Sequence, residues 1–106
     1  MGKEYTQKDF EVTENAVANY LAKKISGRDL ANIAYEQMQG MPSIEVNIDE
    51  QPQITPENLQ GEIAWWLDAL SFIDDDDDKE NIKIVKDTWA LIRVAFMRYK
   101  LLTIDK

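Results

Sequence analysis

The sequence predicts an all-α protein: one small domain, residues 1–106, of about four helices packed as a helical bundle. Three observations favour this fold class. Apolar residues recur at spacings of three and four along most of the chain, which is the period of an amphipathic helix. Capping residues such as Ser26 and Thr55 precede these stretches. A length of 106 residues is typical of a single domain.

The first two helices are predicted in the N-terminal third of the chain. Helix one begins at one of two capping residues, Thr6 or Thr13, and its apolar periodicity extends to Ile25. Ser26 starts a serine–aspartate capping box, so helix two is expected from about Gly27 to Gln39. The apolar faces consist of Phe10, Val17, Leu21 and Ile25 on helix one and Leu30, Ile33, Ala34 and Met38 on helix two.

Residues 43–49 follow a different period. Ile44, Val46 and Ile48 alternate with polar residues, which predicts a short extended or strand segment. An isolated strand leaves its backbone groups unpaired. Three interpretations are therefore open: pairing with residues 10–12, pairing with another chain, or an extended linker.

The last two helices are predicted in the C-terminal half. Helix three begins after the cap Thr55, with Pro56 at its first position, and extends to about Ile73. Helix four, about Lys79 to Leu102, follows five consecutive aspartates. The expected core faces are Leu59, Ile63, Trp66, Leu67, Leu70 and Ile73 on helix three and Ile84, Val85, Trp89, Ile92, Ala95, Phe96, Tyr99 and Leu102 on helix four.

Helix three carries a second apolar stripe. Trp65 and Phe72 are seven residues apart, on a different side of the helix from the core face, with Ala69 near them. Either helix three is a central helix buried on both sides, or these aromatic rings are exposed beside Glu62 and Asp68 as interface anchors. Burial is the favoured interpretation, because apolar stripes usually form core.

Helix four also carries a second stripe, Ala90, Val94, Met97 and Leu101. Three interpretations are open: packing inside the same fold, a homodimer face, or a seam for a foreign partner helix. The first two are favoured together over the third. The basic residues that flank this stripe are Lys83, Lys86, Arg93, Arg98 and Lys100.

Acidic and basic side chains are segregated along the chain. The formal net charge is −8, from 20 acidic and 12 basic residues. Residues 29–78, called the acidic block below, contain 13 acids and no lysine or arginine, whereas the segments before and after it carry net charges of +1 and +4. Such a surface repels phosphates and favours a basic protein partner. We therefore expect neither direct nucleic-acid binding nor binding to an anionic membrane.

The composition excludes several kinds of chemistry. The chain has no cysteine and no histidine, which removes disulfides, imidazole or thiol metal ligands, and catalytic schemes that need either group. We expect no enzymatic activity, no cofactor and no metal site. The run Asp74–Asp78 lacks an EF-hand glycine, so only loose cation binding is left open there. No apolar stretch is long enough to span a membrane, and a cytoplasmic location is expected.

Two hypotheses for function remain. In the first, the chain is a stoichiometric inhibitor, immunity-type or nucleic-acid-mimicking protein whose acidic face occupies the basic groove of a nucleic-acid-binding enzyme such as a nuclease. Carboxylates then take the place of phosphates, and aromatic anchors supply specificity. The candidate partner-binding residues are Asp49, Glu50, Glu57, Glu62, Trp65, Asp68, Phe72, Asp74, Asp75, Asp76, Asp77 and Asp78.

In the second hypothesis, the chain is a helical assembly component: a structural subunit, an adaptor or a chaperone. The apolar stripes of helices three and four would then bury against copies of the chain in a homodimer or larger oligomer, or against a client. Under this hypothesis the acidic block and the basic fourth helix attract each other within the fold, and residues 43–49 can add a strand to a partner sheet.

Overall fold

The computed structural model describes residues 4–41, 55–73 and 78–104, and these form a bundle of four helices. They contain helices and turns but no strand, so the predicted all-α class is confirmed for the described part of the chain. The predicted extended segment, residues 43–49, lies outside the described residues and is not borne out. One of its proposed partners is excluded, because residues 10–12 are helical. The helices are α1 Gln7–Leu21, α2 Gly27–Met38, α3 Pro56–Ser71 and α4 Asp78–Thr103.

Side-chain caps define the starts of the first three helices, as the sequence predicts. Thr6 caps α1 in a reciprocal capping box with Asp9, which decides between the two candidate starts. Ser26 makes the same box at the start of α2. Thr55 Oγ1 accepts a hydrogen bond of 3.1 Å from the backbone N–H of Asn58, and proline occupies the first turn of α3.

The predicted end of α1 near Ile25 is wrong, because the helix ends at Leu21. Lys23 has a left-handed φ of 63°. Its N–H donates to the carbonyl of Tyr20, and the next N–H donates to the carbonyl of Asn19. This pair of bonds is a Schellman motif, which is usually marked by glycine rather than lysine. Ile25 still packs against the core, but it does so from the turn.

Helix α3 occupies the centre of the bundle, packed against α2 and α4. Its predicted core face is confirmed: Ile63, Leu67 and Leu70 are fully buried. From α2, Leu30 reaches the same core, and from α4, Ile92 does so. Burying a side chain of this size contributes about 2 kcal/mol to folding, so α3 is held mainly by apolar contact with its two neighbours.

A buried polar network attaches the N-terminal segment to three helices. Tyr5 is fully buried, and its backbone N–H donates to Gln60 Oε1 of α3 at 2.7 Å while its carbonyl accepts from Gln60 Nε2 at 3.0 Å. The Tyr5 hydroxyl lies 2.5 Å from Thr13 Oγ1 of α1, which is 2.7 Å from Gln37 Oε1 of α2. Gln37 Nε2 donates to the backbone carbonyl of Asp9 at 2.8 Å. Every one of these partners is needed, because an unpaired polar group is costly in a core.

Aromatic rings join the start of α1 to α4. The Phe96 ring stacks on Phe10 at a centroid distance of 5.0 Å and meets Tyr5 edge-on at 5.5 Å. Phe10 also lies 5.1 Å from the ring of Trp89. Tyr5 precedes the cap of α1 and Phe10 follows its first turn, which are the two positions of a hydrophobic staple. Here both staple residues pack on Phe96, so the staple also anchors α4.

Replacing Gln60 by Met tests the contribution of the Tyr5 clamp. The substitution keeps an apolar stem of similar length but leaves the N–H and the carbonyl of Tyr5 without their partner. We expect the free energy of unfolding to fall by about 2–4 kcal/mol, measured by urea unfolding, because each unsatisfied buried group costs about 1–3 kcal/mol. A loss below about 0.5 kcal/mol would contradict the role given to this clamp.

The Tyr5 hydroxyl also makes the stability of the fold depend on pH in the alkaline range. Burial raises its pKa above the ordinary value, against the opposing effect of the hydrogen bond to Thr13. The unfolded chain loses this proton near the ordinary pKa of about 10, and the folded chain keeps it to higher pH. The stability that the protonated, buried Tyr5 hydroxyl contributes is therefore fully present below pH about 10 and is lost as the pH rises further.

We expect the unfolding free energy to fall more steeply between about pH 9 and about pH 11 in the wild type than in Tyr5→Phe. Urea unfolding at both pH values measures the difference. Tyr35→Phe is the matched control, because Tyr35 is 51% exposed, and it should keep the wild-type dependence. Equal slopes for the wild type and Tyr5→Phe would contradict the assignment.

Candidate protein-interaction surfaces

The first candidate surface is the side of α3 that faces solvent, called the α3 aromatic face below. Trp65 is 46% exposed and Phe72 is 77% exposed, although both belong to the central helix. At about 100° per residue they lie on the opposite side of α3 from Leu67 and Leu70. The favoured interpretation of this stripe as core is therefore wrong: α2 and α4 cover the core side of α3 and leave these rings in contact with water.

Acidic side chains flank the two rings. Glu62 and Asp68 are half-buried, and Glu57 in the first turn of α3 is exposed. Glu62 Oε1 accepts a hydrogen bond of 3.4 Å from Trp66 Nε1 one turn later. This contact holds the carboxylate on its own helix. The α3 aromatic face is therefore an aromatic pair, Trp65 and Phe72, bordered by carboxylates.

The described residues include only part of the predicted partner-binding set. The structure places Glu57, Glu62, Trp65, Asp68 and Phe72 on α3, and Asp78 begins α4. The remaining members lie outside the described residues, so their grouping with the α3 aromatic face stays a prediction. Those members are Asp49, Glu50, Asp74, Asp75, Asp76 and Asp77.

The second candidate surface is the outer side of α4, called the α4 seam below: Ala90, Val94, Met97 and Leu101. All four residues are exposed, and the exposed fraction rises from 47% at Val94 through 60% at Met97 to 69% at Leu101. They lie on the opposite side of α4 from buried Ile92. Packing of the α4 seam inside the same fold is therefore wrong for the described part of the chain.

The predicted core face of α4 needs two corrections. Val85, Ile92, Ala95 and Phe96 are buried as expected, whereas Ile84 is 38% exposed and Leu102 is 41% exposed. Both lie about 80° around the helix from Ile92, at the edge of the face that α3 covers. A periodicity that counts apolar residues cannot tell the centre of a buried face from its edge.

Basic side chains border the α4 seam. Lys83, Lys86, Arg93, Arg98 and Lys100 are all exposed. Lys100 Nζ donates to Gln7 Oε1 at 3.2 Å and lies 5.7 Å from the centre of the Phe96 ring. Next to it, the Tyr99 hydroxyl donates to the Glu4 carboxylate. These contacts hold the C-terminal part of α4 against the start of α1, so the α4 seam is presented on a fixed helix.

The buried polar residues were not among the predicted core or site residues. Tyr5, Thr13, Gln37 and Gln60 are at most 6% exposed. A local signal exists only for Tyr5, which stands one residue before the Thr6 cap with Phe10 at the matching staple position. Nothing in the local sequence distinguishes the two glutamines, because they are buried only once three helices meet.

Within residues 4–41, 55–73 and 78–104, no group of three acidic, histidine or cysteine side chains is placed to hold a metal ion. In the same described ranges, no helix is long and apolar enough to cross a membrane. Comparison with family models, with curated proteins and with solved structures gave no match.

The exposure of the α3 aromatic face can be tested by its effect on stability. Phe72→Ala should change the free energy of unfolding by less than about 0.5 kcal/mol, because the ring is largely in water already. Leu67→Ala, on the buried side of the same helix, should cost about 3 kcal/mol. Urea unfolding of both variants provides the comparison, and similar losses would show that Phe72 belongs to the core.

Proposed function

We propose that this chain is a non-enzymatic protein-binding protein that inhibits a basic, nucleic-acid-binding enzyme by covering its binding groove. The observation that carries the proposal is the α3 aromatic face: two large rings, 46% and 77% exposed, on the most buried helix of the bundle. Aromatic side chains are enriched among the residues that dominate binding energy at protein interfaces. A rigid helix presents them at little cost in conformational entropy.

The charge around the two rings supports a basic partner. The α3 aromatic face belongs to the acidic block, a stretch of residues 29–78 without one lysine or arginine. In a groove that normally holds phosphates, the carboxylates of Glu57, Glu62 and Asp68 meet arginine and lysine side chains. Opposite charges steer such partners together and make the association rate fall with added salt.

Under this proposal the aromatic rings and the carboxylates contribute to different steps of binding. Trp65 and Phe72 supply apolar contact area, which salt strengthens or leaves unchanged. The acidic side chains supply attraction, which salt screens. We therefore propose binding that is fast and salt-sensitive in its association step, with a dissociation rate set mainly by the two rings.

Capture of partners on the immobilised chain tests the proposal. Bound proteins are identified after washing at about 0.05 M and about 0.5 M salt, where the Debye length falls from about 14 Å to about 4 Å. The captured enzyme is then titrated with the chain while its nucleic-acid cleavage or binding is measured. We expect a basic enzyme, released at high salt and inhibited at a 1:1 ratio.

Matched variants separate specific recognition from nonspecific charge. Glu57→Gln, Glu62→Gln and Asp68→Asn together should slow association at least tenfold, and Trp65→Ala with Phe72→Ala should speed dissociation by a similar factor. Glu11→Gln with Glu14→Gln, on the exposed side of α1, is the control and should change neither rate appreciably. A partner that is retained at high salt, or that responds equally to both carboxylate sets, would contradict the proposal.

The exposed α4 seam favours a second candidate function, a helical assembly component. Under that proposal, copies of the chain bury Val94, Met97 and Leu101 against one another, or against a client. The mass in solution at micromolar concentration decides between self-assembly and the inhibitor proposal. An oligomer that Met97→Glu dissociates would favour assembly, and a monomer would favour the inhibitor.

A further inference from the structure

We infer that the outer side of α4 is a docking site for an acidic amphipathic helix of another protein, paired with α4 as in a two-stranded coiled coil. The α4 seam is a different surface from the α3 aromatic face, and either can bind without the other. Three features carry this inference: the spacing of the exposed apolar residues, the signs of the charges beside them, and the clash that self-pairing would produce.

The spacing along the α4 seam is that of a coiled coil. Ala90, Val94, Met97 and Leu101 follow one another at intervals of four, three and four residues, and Ile104, 73% exposed, continues the series just beyond the end of α4. Alternating intervals of three and four define the a and d positions of a heptad repeat. From Ala90 to Ile104 the seam is about 21 Å long at 1.5 Å per residue.

The charges beside the α4 seam follow the same repeat. With Val94 and Leu101 at a positions, the residues just before them, Arg93 and Lys100, occupy g positions. Lys86, one turn before Ala90, occupies the preceding g position, so the three g positions along the seam are basic and exposed, while the e positions are Leu91 and Arg98. Side chains at e and g face the charged flank of a partner helix and determine which partner is accepted. A row of basic g positions selects a partner with acidic residues at the facing positions.

The same row opposes pairing of α4 with α4 from a second copy. In a parallel pair, Arg93 of one helix faces Arg98 of the other, because g pairs with the e position of the next heptad. In an antiparallel pair g faces g, which opposes Lys86, Arg93 and Lys100 to one another. Like charges that face each other across the seam repel, which disfavours the pairing of two copies of α4. The homodimer interpretation of the α4 seam is therefore the less favourable one.

An anionic membrane is also a poorer fit than a helix. Faces that lie on membranes are usually broad and carry tryptophan or phenylalanine. The residues of the α4 seam are alanine, valine, methionine and leucine, and the apolar residues exposed beside it, Leu91 and Leu102, are also aliphatic rather than aromatic. The net charge of −8 on the whole chain opposes approach to anionic lipid.

Titration with designed peptides tests this inference. The probes are a four-heptad helical peptide with leucine at a and d and glutamate at e and g, and its counterpart with lysine at e and g. Binding is followed by fluorescence anisotropy of the labelled peptides. We expect the acidic peptide to bind the full chain and to lose at least tenfold in affinity with Met97→Glu. Any affinity of the lysine peptide should not respond to Met97→Glu.

Two further variants test whether the loss of peptide binding is specific to the α4 seam and its basic flank. Val12→Glu, at a residue 43% exposed on α1, introduces the same charge in a similarly apolar surface position and should leave acidic-peptide affinity within about twofold of wild type. Lys86→Glu with Arg93→Glu should weaken the acidic peptide at least tenfold and strengthen the lysine peptide. Circular dichroism of every variant should show wild-type helicity, because all these positions are exposed.

Three outcomes would overturn the inference. Acidic-peptide binding that Met97→Glu leaves intact would place the site elsewhere. A dimer of the chain that Met97→Glu dissociates would make a second copy the occupant. Sedimentation with vesicles of phosphatidylcholine and phosphatidylserine, lost in Met97→Glu, would make the face a membrane contact. Loss of inhibitory binding in the α3 variants alone would concern the other surface and leave this inference standing.

Discussion

The buried clamp between Tyr5 and Gln60 fastens the N-terminal segment onto the central helix of this small bundle. Two hydrogen bonds of 2.7 Å and 3.0 Å fix the backbone of the N-terminal segment on α3, and the Tyr5 ring meets Phe96 of α4. A single small domain can bury only a limited area of apolar surface in its core. In the described part of the chain, α2 and α4 pack on α3 and the N-terminal segment is clamped over it. The side of α3 that carries Trp65 and Phe72 is left to solvent.

The two exposed surfaces then have opposite characters. The α3 aromatic face presents rings bordered by carboxylates, and the α4 seam presents aliphatic side chains bordered by lysine and arginine. Both stand on helices whose opposite sides are packed in the core, so the bundle holds both surfaces in place. Under the two proposals above, the α3 aromatic face would hold a basic partner and the α4 seam an acidic helix.

Much of the fold follows from local sequence, and the reasons for the exceptions are physical. Caps at Ser26 and Thr55 act within one turn, so the starts of α2 and α3 were predictable. The end of α1 was not, because no glycine marks it: Lys23 adopts the left-handed conformation, and the N–H groups of Lys23 and Lys24 close the helix. The class of the fold was predictable from periodicity, whereas the extended segment predicted at residues 43–49 lies outside the described part of the chain and is not borne out.

Periodicity predicts which apolar residues share a side of a helix, but it does not predict whether that side is exposed. Periodicity shows that Trp65 and Phe72 share a side of α3, yet only the packing of α2 and α4 decides that this side is open. The same holds for Met97 on α4. Buried Gln37 and Gln60 illustrate the converse, since polar residues enter the core only where a partner from another helix satisfies them.

If α3 and α4 carry two separate binding faces of opposite charge, two peptides should shift different resonances in nuclear magnetic resonance spectra of the nitrogen-15-labelled chain. We expect a lysine-rich helical peptide to shift the indole N–H of Trp65 and not that of Trp89. We expect a glutamate-rich helical peptide to shift the backbone amides of Val94, Met97 and Leu101. Shifts at the same residues with both peptides, or at none of them, would contradict two separate faces.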